Sequence, residues 1–443
     1  MRKGGIASLQ AVSWRLALGT SMARLVQKFG GSSVKDIEHI RRVAKIVSDS
    51  AREGKELVVV VSAMGHTTDE LLSLAENVND RGDQRELDML LCTGEQVSVA
   101  LLAMALQKLG LKARSFTGAQ AGILTDETHT YARIKTVQPS RVETSLRRGE
   151  IAVVAGFQGM TRNSDMTTLG RGGSDTTAVA LASALKAECC DIYTDVDGVY
   201  TTDPRSYGKA RKLHAVSYEE MLELASLGAQ VLNARSVELA MRQKMPIRLR
   251  STFDPGDTGT LVTSRELAPD YQICGVALDT NRVSFRLSLT HDFSVNEQGA
   301  DSEYLHYTNK SERLLEELSS LGLVREQINL VYNGDAVVQV EFNCEKRLAR
   351  EAKEVLLEYF PESNGAVLTV DTDVARISVV GIGARARHQR GDIIGALSAA
   401  AIPVSMVSAN SISVSAVVPG KFKDDAVRQL HETFCTAFRS EDS

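Results

Sequence analysis

The chain has 443 residues, of which 43% are hydrophobic and 24% charged, and its formal net charge is −5. This length and composition are typical of a globular protein with about three domains and an ample core. A slightly acidic chain has no general attraction for nucleic acid or an anionic membrane surface, so neither is expected as a partner. No apolar run approaches the roughly 20 residues of a membrane-spanning helix.

The six cysteines and eight histidines form no metal-binding pattern. No two cysteines have the CxxC spacing, and neither HxxxH nor HExxH occurs. Cys189 and Cys190 lie inside an apolar run. We therefore expect reduced, buried thiols in a cytoplasmic protein, without disulfides and without a metal site built by the protein.

The first 21 residues contain Arg2, Lys3 and Arg15 and no acidic residue. This bias resembles that of a targeting peptide. The apolar stretch is short, however, and the strongly patterned sequence begins at Met22. We interpret residues 1–21 as a disordered extension.

Between Met22 and Val262, short apolar runs alternate with longer amphipathic segments. The runs predict strands at Leu25–Phe29, Leu57–Ser62, Ile151–Phe157, Cys190–Asp195 and Pro246–Arg250. The segments predict helices at Ile37–Ala51, Thr68–Asn77, Arg85–Gln107, Thr177–Lys186 and Ser217–Ala225. Apolar strands separated by helices imply a mostly parallel sheet buried on both faces. We predict an α/β domain over residues 22–262.

A turn-rich junction follows, with a linker predicted at residues 263–273. Beyond it the order β-α-β-β-α occurs twice. The predicted strands are Val276–Leu289, Ile328–Tyr332, Ala336–Phe342, Val367–Val370, Ala375–Val380, Val404–Ser408 and Ile412–Val418. The predicted helices are Ser311–Leu321, Arg347–Tyr359, Asp392–Ala401 and Asp424–Phe438. This order predicts two small ferredoxin-like domains over residues 274–372 and 373–443.

Polar residues follow several predicted strands of the α/β domain. They are Gly30–Ser33, Ser62–Gly65, Gly156–Gly159 and Thr194-Asp195. Because ligands of open α/β sheets bind at the carboxyl ends of the strands, these segments predict one convergent site for a small molecule.

The segment Thr167–Thr177 has glycines at 170, 172 and 173 around Arg171. Bare backbone N–H groups, followed by a helix starting at Ser174 or Asp175, favour an anion. The guanidinium of Arg171 suits a carboxylate or phosphate, which it binds through two parallel hydrogen bonds. A purely structural turn is the alternative. The combination of glycines, arginine and hydroxyls favours the anion site.

Lys28 ends the first predicted strand, and Gly30-Gly31 follow it. A fixed positive charge beside exposed amides suits phosphate binding, although the Walker pattern GxxxxGK[ST] is absent. Gly381–Ala386 matches the dinucleotide pattern GxGxxG/A, but residues 401–411 contain no acid for the ribose. We interpret that second match as accidental.

Taken together, these motifs resemble those of the aspartate kinases of the amino acid kinase family. The matching segments are Lys28–Val34, Val59–Gly65, Thr67–Asp69, Gly94-Glu95, Gly156–Gly159, Thr167–Asp175 and Thr194–Arg205. The resemblance implies an amino acid kinase fold. It also implies transfer of the γ-phosphoryl group of MgATP to the β-carboxylate of L-aspartate, giving 4-phospho-L-aspartate and ADP. That reaction opens the route to lysine (through diaminopimelate), threonine and methionine.

The resemblance implies roles for individual residues. The implied catalytic residues are Lys28, Arg171 and Asp175. The implied substrate-binding residues are Ser62, Thr67, Glu95, Phe157, Arg171 and Ser174. The implied ATP-binding residues are Lys28, Gly30, Gly31, Ser32, Thr194, Asp195, Tyr200 and Arg205. No carboxylate pair stands out as a metal cage, so Mg²⁺ is expected to be held by nucleotide phosphates and water.

The C-terminal part resembles a pair of ACT domains, which are regulatory modules that bind amino acids. Val379–Gly383 and Ile402–Ser408 fit the second repeat, whereas Ala384–Arg390 is basic where relatives have a glycine-rich effector loop. An effector-helix start is hard to find around His291–Tyr307, and Asn233-Ala234 replace a common His-Pro. The resemblance implies an amino-acid effector and a homodimer or higher homo-oligomer. Whether lysine, threonine, meso-diaminopimelate or no effector acts stays open.

Two alternatives also stay open on the sequence. One is another amino acid kinase, acting on glutamate, acetylglutamate or a nucleoside monophosphate. The other is a catalytically weak regulatory subunit that binds amino acids through its ACT pair. The presence of Lys28, Arg171 and Asp175 favours an active enzyme over a regulatory subunit.

Overall fold

The computed structural model describes residues 23–79, 82–229, 231–265, 273–289, 312–321, 323, 328–333, 336–360, 366–381 and 386–435. These residues form two compact units. The first contains residues 23–199, 214–218 and 231–265, and the second contains residues 200–213, 219–229 and the described residues from 273 onwards. The predicted extension at 1–21 and most of the predicted linker lie outside the described residues.

An eight-stranded sheet forms the centre of the first unit, in the order β10-β12-β11-β9-β1-β2-β6-β3. Its strands pair in parallel except for the antiparallel pair β11–β12. The strands are β1 Arg24–Phe29, β2 Glu56–Val61, β3 Ala113–Phe116, β6 Ile151–Ala155, β9 Cys189–Thr194, β10 Ala215–Ser217, β11 Ile247–Ser251 and β12 Thr260–Thr263. The predicted α/β architecture is therefore present.

The first unit also contains α1 Ile37–Arg52, α2 Thr67–Val78, α3 Gln84–Lys108, α4 Ser140–Arg147, α5 Gly173–Ala184 and α7 Ala234–Gln243, whereas α6 Tyr218–Ser226 belongs to the second unit from residue 219 onwards. In α1, Ile40, Val43 and Val47 are buried in the core, and the Asp36 carboxylate caps the helix by accepting the His39 N–H at 2.9 Å. Helix α5 begins at Gly173, one residue before the earliest start expected from the glycine-rich segment, at Ser174, and four residues before the helical pattern that starts at Thr177.

By length and composition alone, helix α3 could span a membrane, and among the described residues it is the one helix that could. Half of its most apolar window is buried inside the protein. Leu102 and Leu106 pack in the core of the first unit, which is the environment of a core helix.

A four-stranded sheet, in the order β5-β4-β7-β8, was not predicted. Its strands are β4 Ile123–Thr125, β5 Ile134–Val137, β7 Gln158–Met160 and β8 Met166–Thr168. They are three or four residues long, too short for a hydrophobic alternation to be recognised. The last strand of this small sheet, β8, leads directly into the loop at Leu169–Gly172.

The second unit is built on an antiparallel six-stranded sheet in the order β14-β15-β13-β16-β18-β17. Its strands are β13 Gly275–Leu289, β14 Ile328–Asn333, β15 Ala336–Glu345, β16 Ala366–Val380, β17 Met406–Ala409 and β18 Ser413–Pro419. Its helices are α8 at 312–320, α9 Ala349–Tyr359, α10 Ala386–Ala399 and α11 Lys423–Phe434.

Two hydrophobic cores lie against this sheet, as a pair of ferredoxin-like modules requires. Strands β13 and β16 run through both modules. The prediction of separate strands at Val367–Val370 and Ala375–Val380 was wrong, because β16 is continuous. The polar Asp371-Thr-Asp373 stretch resembles a turn in sequence, yet Asp371 pairs with Ser284 beside a register shift in β13. The effector segment at His291–Tyr307 and residues 382–385 lie outside the described residues.

Candidate active site

A cavity of about 430 Å³ opens where β1 and β2 end, and α3 and the start of α5 complete its wall. Its lining includes Lys28, Gly31, Ser62, Glu95, Phe157, Arg171, Ser174 and Asp175. Eight of the residues singled out in the sequence thus meet in one place. The position agrees with the rule that open α/β sheets bind ligands at the carboxyl ends of their strands.

Lys28 and Asp175 form an ion pair inside this cavity. Lys28 Nζ lies 2.6 Å from Asp175 Oδ1, and the two side chains are only 11% and 12% exposed. Lys28 comes from the end of β1, whereas Asp175 lies in the first turn of α5. The pair holds a cation at a fixed point in a weakly solvated wall, where its field is stronger than in water.

The chain after β1 passes close to the chain after β2. A Cβ atom on Gly31 would lie 3.1 Å from the Ala63 carbonyl oxygen and 3.2 Å from that of Gly65. Gly31 begins a short 3₁₀ segment that ends at Val34, in which Ser32 is exposed. Glycine at 31 therefore permits this close approach of two strand ends at the cavity wall.

The positions on either side of Arg171 are packed so closely that only glycine fits there. Gly172 has φ +71°, and a Cβ atom there would lie 2.2 Å from Asn233 Cγ. Gly170 has φ +74°, and its Cβ would lie 2.6 Å from the Tyr131 ring. The structural interpretation of this loop therefore holds, and the same tight turn presents Arg171 at the cavity. Anion binding by the loop stays a prediction.

The side chain of Arg171 is exposed at the cavity, and among the described residues it has no ion pair. Its backbone is held in place, since Asn233 Nδ2 donates a hydrogen bond to the Arg171 carbonyl oxygen at 3.2 Å. Asn233 also caps α7 by accepting the Arg235 N–H at 3.0 Å. A guanidinium on a fixed backbone, with its donors unused, suits an anionic ligand.

Glu95 is more deeply buried than Asp175, the acid that pairs with Lys28. It lies in the middle of α3 at 2% exposure, and its Oε1 accepts the Ala63 N–H at 3.0 Å. Its other oxygen, Oε2, is buried without a hydrogen-bond partner in the described part of the chain. Burial raises the pKa of Glu95 to about 8. Such a carboxylate needs either a proton or a ligand cation.

Phe157 and Ser174 are positioned by a strained turn after β6. Phe157 has φ +67°, which is unfavourable for a residue with a side chain, and its N–H donates to Thr177 Oγ1 at 3.1 Å. A Cβ atom on Gly156 would lie 2.7 Å from Ser174 Oγ. The turn therefore packs directly on the first turn of α5, and local strain of this kind is common at ligand sites.

Several predicted site residues are not part of this wall. Thr67 donates its hydroxyl to the Met64 carbonyl oxygen at 2.7 Å, while its neighbours Thr68 and Asp69 line the cavity. Thr194 and Asp195 lie at the end of β9, beside β1 in the sheet, with a hydrogen bond of 2.9 Å between their side chains. Gly30 and Ser32 are also absent from the lining.

Tyr200 and Arg205 belong to the second unit. Arg205 forms an ion pair of 2.8 Å with Asp203, and its side chain is 87% exposed. Tyr200 forms an isolated antiparallel bridge with Lys212. The roles of Tyr200 and Arg205 in nucleotide binding stay predictions.

Two threonines of the cavity wall and a buried carboxylate behind them were not predicted from the sequence. Thr130 and Thr168 line the cavity, and Asp88, which is fully buried, accepts hydrogen bonds from both. A signal for Asp88 exists in the sequence: it lies seven residues before Glu95, and that spacing puts two acids on one face of an otherwise apolar helix.

The family models agree with this description. The amino acid kinase family model matches residues 23–251, and an ACT domain model matches residues 377–434. The aspartokinase of Corynebacterium glutamicum is 41% identical over 418 residues, which cover 93% of this chain and 96% of that protein. The aspartokinase of Geobacillus stearothermophilus is 42% identical over 421 residues, covering 93% and 97%.

Solved structures give the same result for the fold. Aspartokinase III of E. coli, in complex with aspartate and ADP, superposes with a TM-score of 0.74 at 24% identity, covering 93% of this chain and 99% of that chain. Aspartate kinase from Synechocystis gives a TM-score of 0.51 at 34% identity, covering 95% of this chain and 71% of that chain.

The fold and the family models define a phosphotransferase of the amino acid kinase class, joined to an ACT domain. Within that class, identity of 40% and more along 93% of its length shows that the chain belongs to the aspartokinase family. The family, the fold class and the aspartate kinase function predicted from the sequence are confirmed. Another amino acid kinase or a weak regulatory subunit is not favoured.

Proposed function

We propose that this chain transfers the γ-phosphoryl group of ATP, taken up as MgATP, to the β-carboxylate of L-aspartate, giving 4-phospho-L-aspartate and ADP. The observation that carries the proposal is the meeting of Glu95, Arg171 and the Lys28–Asp175 pair in one cavity. Aspartate has one ammonium and two carboxylates, and this wall offers the buried acid Glu95 and two cations, Arg171 and the Lys28 that Asp175 holds.

At the amino-acid end, we assign the ammonium of aspartate to Glu95 and a carboxylate to Arg171. The unpartnered Oε2 of Glu95 is buried at the wall, so an ammonium there would satisfy it. Ser62, Phe157 and Ser174 line the same cavity and complete the amino-acid pocket in this proposal. Thr67 acts through the turn that it stabilises, since its hydroxyl is bonded to Met64.

At the phosphoryl end, Lys28 neutralises the charge that develops on the transferred group. Asp175 holds Lys28 Nζ, and the first turn of α5 and the amides of Gly31 and Ser32 add positive potential, whereas the Gly30 N–H is donated to the Tyr193 carbonyl oxygen at 3.3 Å. A carboxylate is already a nucleophile, so the reaction needs no general base. What it needs is alignment of two anions and neutralisation of their charge, and these groups provide both.

We assign the nucleotide to Thr194 and Asp195, at the end of β9 beside β1. In the described part of the chain, no group of three or more His, Cys, Asp or Glu is placed to hold a metal. We assign Mg²⁺ to the phosphate oxygens of ATP and to water, because Mg²⁺ usually keeps several waters and is bound through substrate phosphates.

The second unit supplies regulation in this proposal. Aspartokinase III of E. coli has been solved with lysine and aspartate, and the two hydrophobic cores of this unit fit an ACT pair. We propose an amino-acid effector at the ACT pair, assembly into a homodimer or higher homo-oligomer, and a cytoplasmic biosynthetic role. Titration of the kinase with lysine, threonine and meso-diaminopimelate identifies the effector, and activity that none of the three changes contradicts this part.

The test of the reaction is a coupled assay of ADP release with aspartate, glutamate and acetylglutamate at saturating MgATP. We expect turnover with aspartate and at least a hundredfold lower kcat/KM with the other two, because one added methylene misplaces a carboxylate fixed at two points. Glutamate or acetylglutamate turning over as well as aspartate contradicts the assignment.

A further inference from the structure

Asp88 is a fully buried carboxylate that accepts hydrogen bonds from the loop at 129–130 and from β8. Its side chain is 0% exposed. The Thr168 hydroxyl donates to Oδ1 at 2.5 Å, and the Thr130 N–H lies 3.1 and 3.0 Å from the two oxygens. His129 Nδ1 lies 2.8 Å from Oδ2. A buried acid is retained where such partners compensate its desolvation.

Two of these partners are parts of the active-site wall. Thr130 and Thr168 both line the cavity that contains Glu95 and Arg171. Thr130 has φ +64°, a left-handed conformation that costs a threonine free energy and needs support from its surroundings. The double contact of its N–H with the Asp88 carboxylate gives that support.

The loop at residues 129–131 also contacts the loop that contains Arg171. Tyr131 packs so closely on Gly170 that a Cβ there would lie 2.6 Å from its ring. Arg235 stacks over Tyr131 at 4.6 Å and donates a hydrogen bond of 2.8 Å to the Leu169 carbonyl oxygen. Residues 129–131 are thus fixed by Asp88 on one side and support Leu169–Arg171 on the other.

We propose that Asp88 is a positioning residue for the amino-acid substrate: it holds Thr130 and Thr168, and through Tyr131 the Arg171 loop, in the arrangement that binds aspartate. The inference rests on the proposed function for its substrate. Asp88 does not itself line the cavity, and it acts on the substrate pocket only through Thr130 and Thr168. Its loss therefore affects affinity for aspartate, and leaves the Lys28–Asp175 pair and the nucleotide end in place.

The main variant is Asp88→Asn, which has the same shape but replaces one acceptor oxygen with an NH₂ group that faces donors. We expect KM for aspartate to rise about 10- to 100-fold, the loss typical of hydrogen bonds to a charged group. The values of kcat and KM for ATP should stay within about threefold, a split that general destabilisation does not produce.

A second pair of variants covers the case in which Asp88→Asn does not fold. Thr168→Val removes the donor to Asp88 at constant shape, and Thr168→Ser restores it. We expect Thr168→Val to raise KM for aspartate about tenfold and Thr168→Ser to recover most of it. The matched control is Thr125→Val. It removes the buried hydrogen bond of 2.7 Å between the hydroxyls of Thr125 and Thr167, which do not line the cavity, and it should leave KM for aspartate unchanged.

Hydrogen–deuterium exchange gives a reading that does not depend on the substrate. In Asp88→Asn, or in Thr168→Val if the former does not fold, amides of residues 128–133 and 168–172 should exchange faster than in wild type, and in Thr125→Val they should not. Unchanged exchange together with an unchanged KM for aspartate overturns the positioning role. Failure of the wild type to phosphorylate aspartate, with the exchange difference present, refutes only the proposed substrate.

Discussion

Replacement of Glu95 by Gln tests whether this buried acid binds the substrate ammonium. Gln has nearly the same shape, and its carbonyl oxygen still accepts the Ala63 N–H that Glu95 accepts at 3.0 Å. What the substitution removes is the negative charge and its titration. The ordinary pKa of a glutamate is 4.5 and burial raises that of Glu95 to about 8.

The raised pKa has a consequence for stability with a definite sign. Below pH 4.5, Glu95 is protonated in the folded and the unfolded chain, so its contribution to stability is fully present. Between pH 4.5 and pH 8 the unfolded chain loses this proton while the folded chain keeps it, and stability falls by about 5 kcal/mol in all. Glu95→Gln cannot titrate, so relative to wild type it should become more stable as the pH rises through this window.

The consequence for binding has the opposite sign. The ammonium of aspartate needs the ionised carboxylate, of which about one tenth is present at pH 7 if the pKa is about 8. In wild type, KM for aspartate should therefore fall about tenfold per pH unit up to pH 8 and then level off. In Glu95→Gln, KM should be about a hundredfold higher at pH 8.5 and should lose this pH dependence.

The assay is steady-state kinetics in aspartate at saturating MgATP from pH 6 to 8.5, with thermal unfolding of both proteins at pH 5 and pH 8. A flat KM profile in wild type, or a wild-type KM in Glu95→Gln, refutes the assignment of Glu95 to the ammonium. A stability difference between the two proteins that does not change with pH refutes the raised pKa.

Three further predictions follow from the geometry. Lys28→Ala should lower kcat about a thousandfold with the circular dichroism spectrum unchanged, while Lys45→Ala, at an exposed lysine of α1, keeps full activity; wild-type turnover in the first contradicts its role. Gly172→Ala should lower kcat/KM for aspartate at least tenfold, whereas Gly54→Ala, at a similar φ of +77° but with no atom within 4 Å, should not; equal kinetics refute the steric argument. Asp279→Asn should destabilise the second unit by about 3 kcal/mol or more, because it removes the carboxylate that pairs with the buried guanidiniums of Arg282 and Arg376 at 2.6 and 3.1 Å; an unchanged melting temperature counts against this.

Much of the fold was predictable because buried parallel strands have a strong sequence signal. All five strands and five helices predicted over residues 22–262 are present, most with ends within two residues. The short strands β4, β5, β7 and β8 were missed because they bury too few side chains to set a period. Strand β16 was divided in two because Asp371 and Asp373 are turn formers locally, and pairing with β13 outweighs that preference.

The site was predictable where chemistry determines the residue type and less so where packing does. Lys28, Arg171 and Asp175 carry charge at strand ends or at a glycine-rich turn, and the structure places them in one cavity. The sequence does not show that Thr68 and not Thr67 faces the cavity, because that depends on the rotation of α2. The burial of Asp88 depends on contacts with residues 129–130 and 168, which only the folded chain brings together.

The central claim is that the cavity joins the β-carboxylate of aspartate to the γ-phosphoryl group of ATP. The most direct test incubates the protein with MgATP, hydroxylamine and aspartate labelled with ¹⁸O in its β-carboxylate, followed by mass spectrometry of the hydroxamate and the phosphate. We predict the β-hydroxamate, with ¹⁸O transferred to phosphate, and loss of both in Lys28→Ala. An α-hydroxamate, unlabelled phosphate, or no hydroxamate above background contradicts the account.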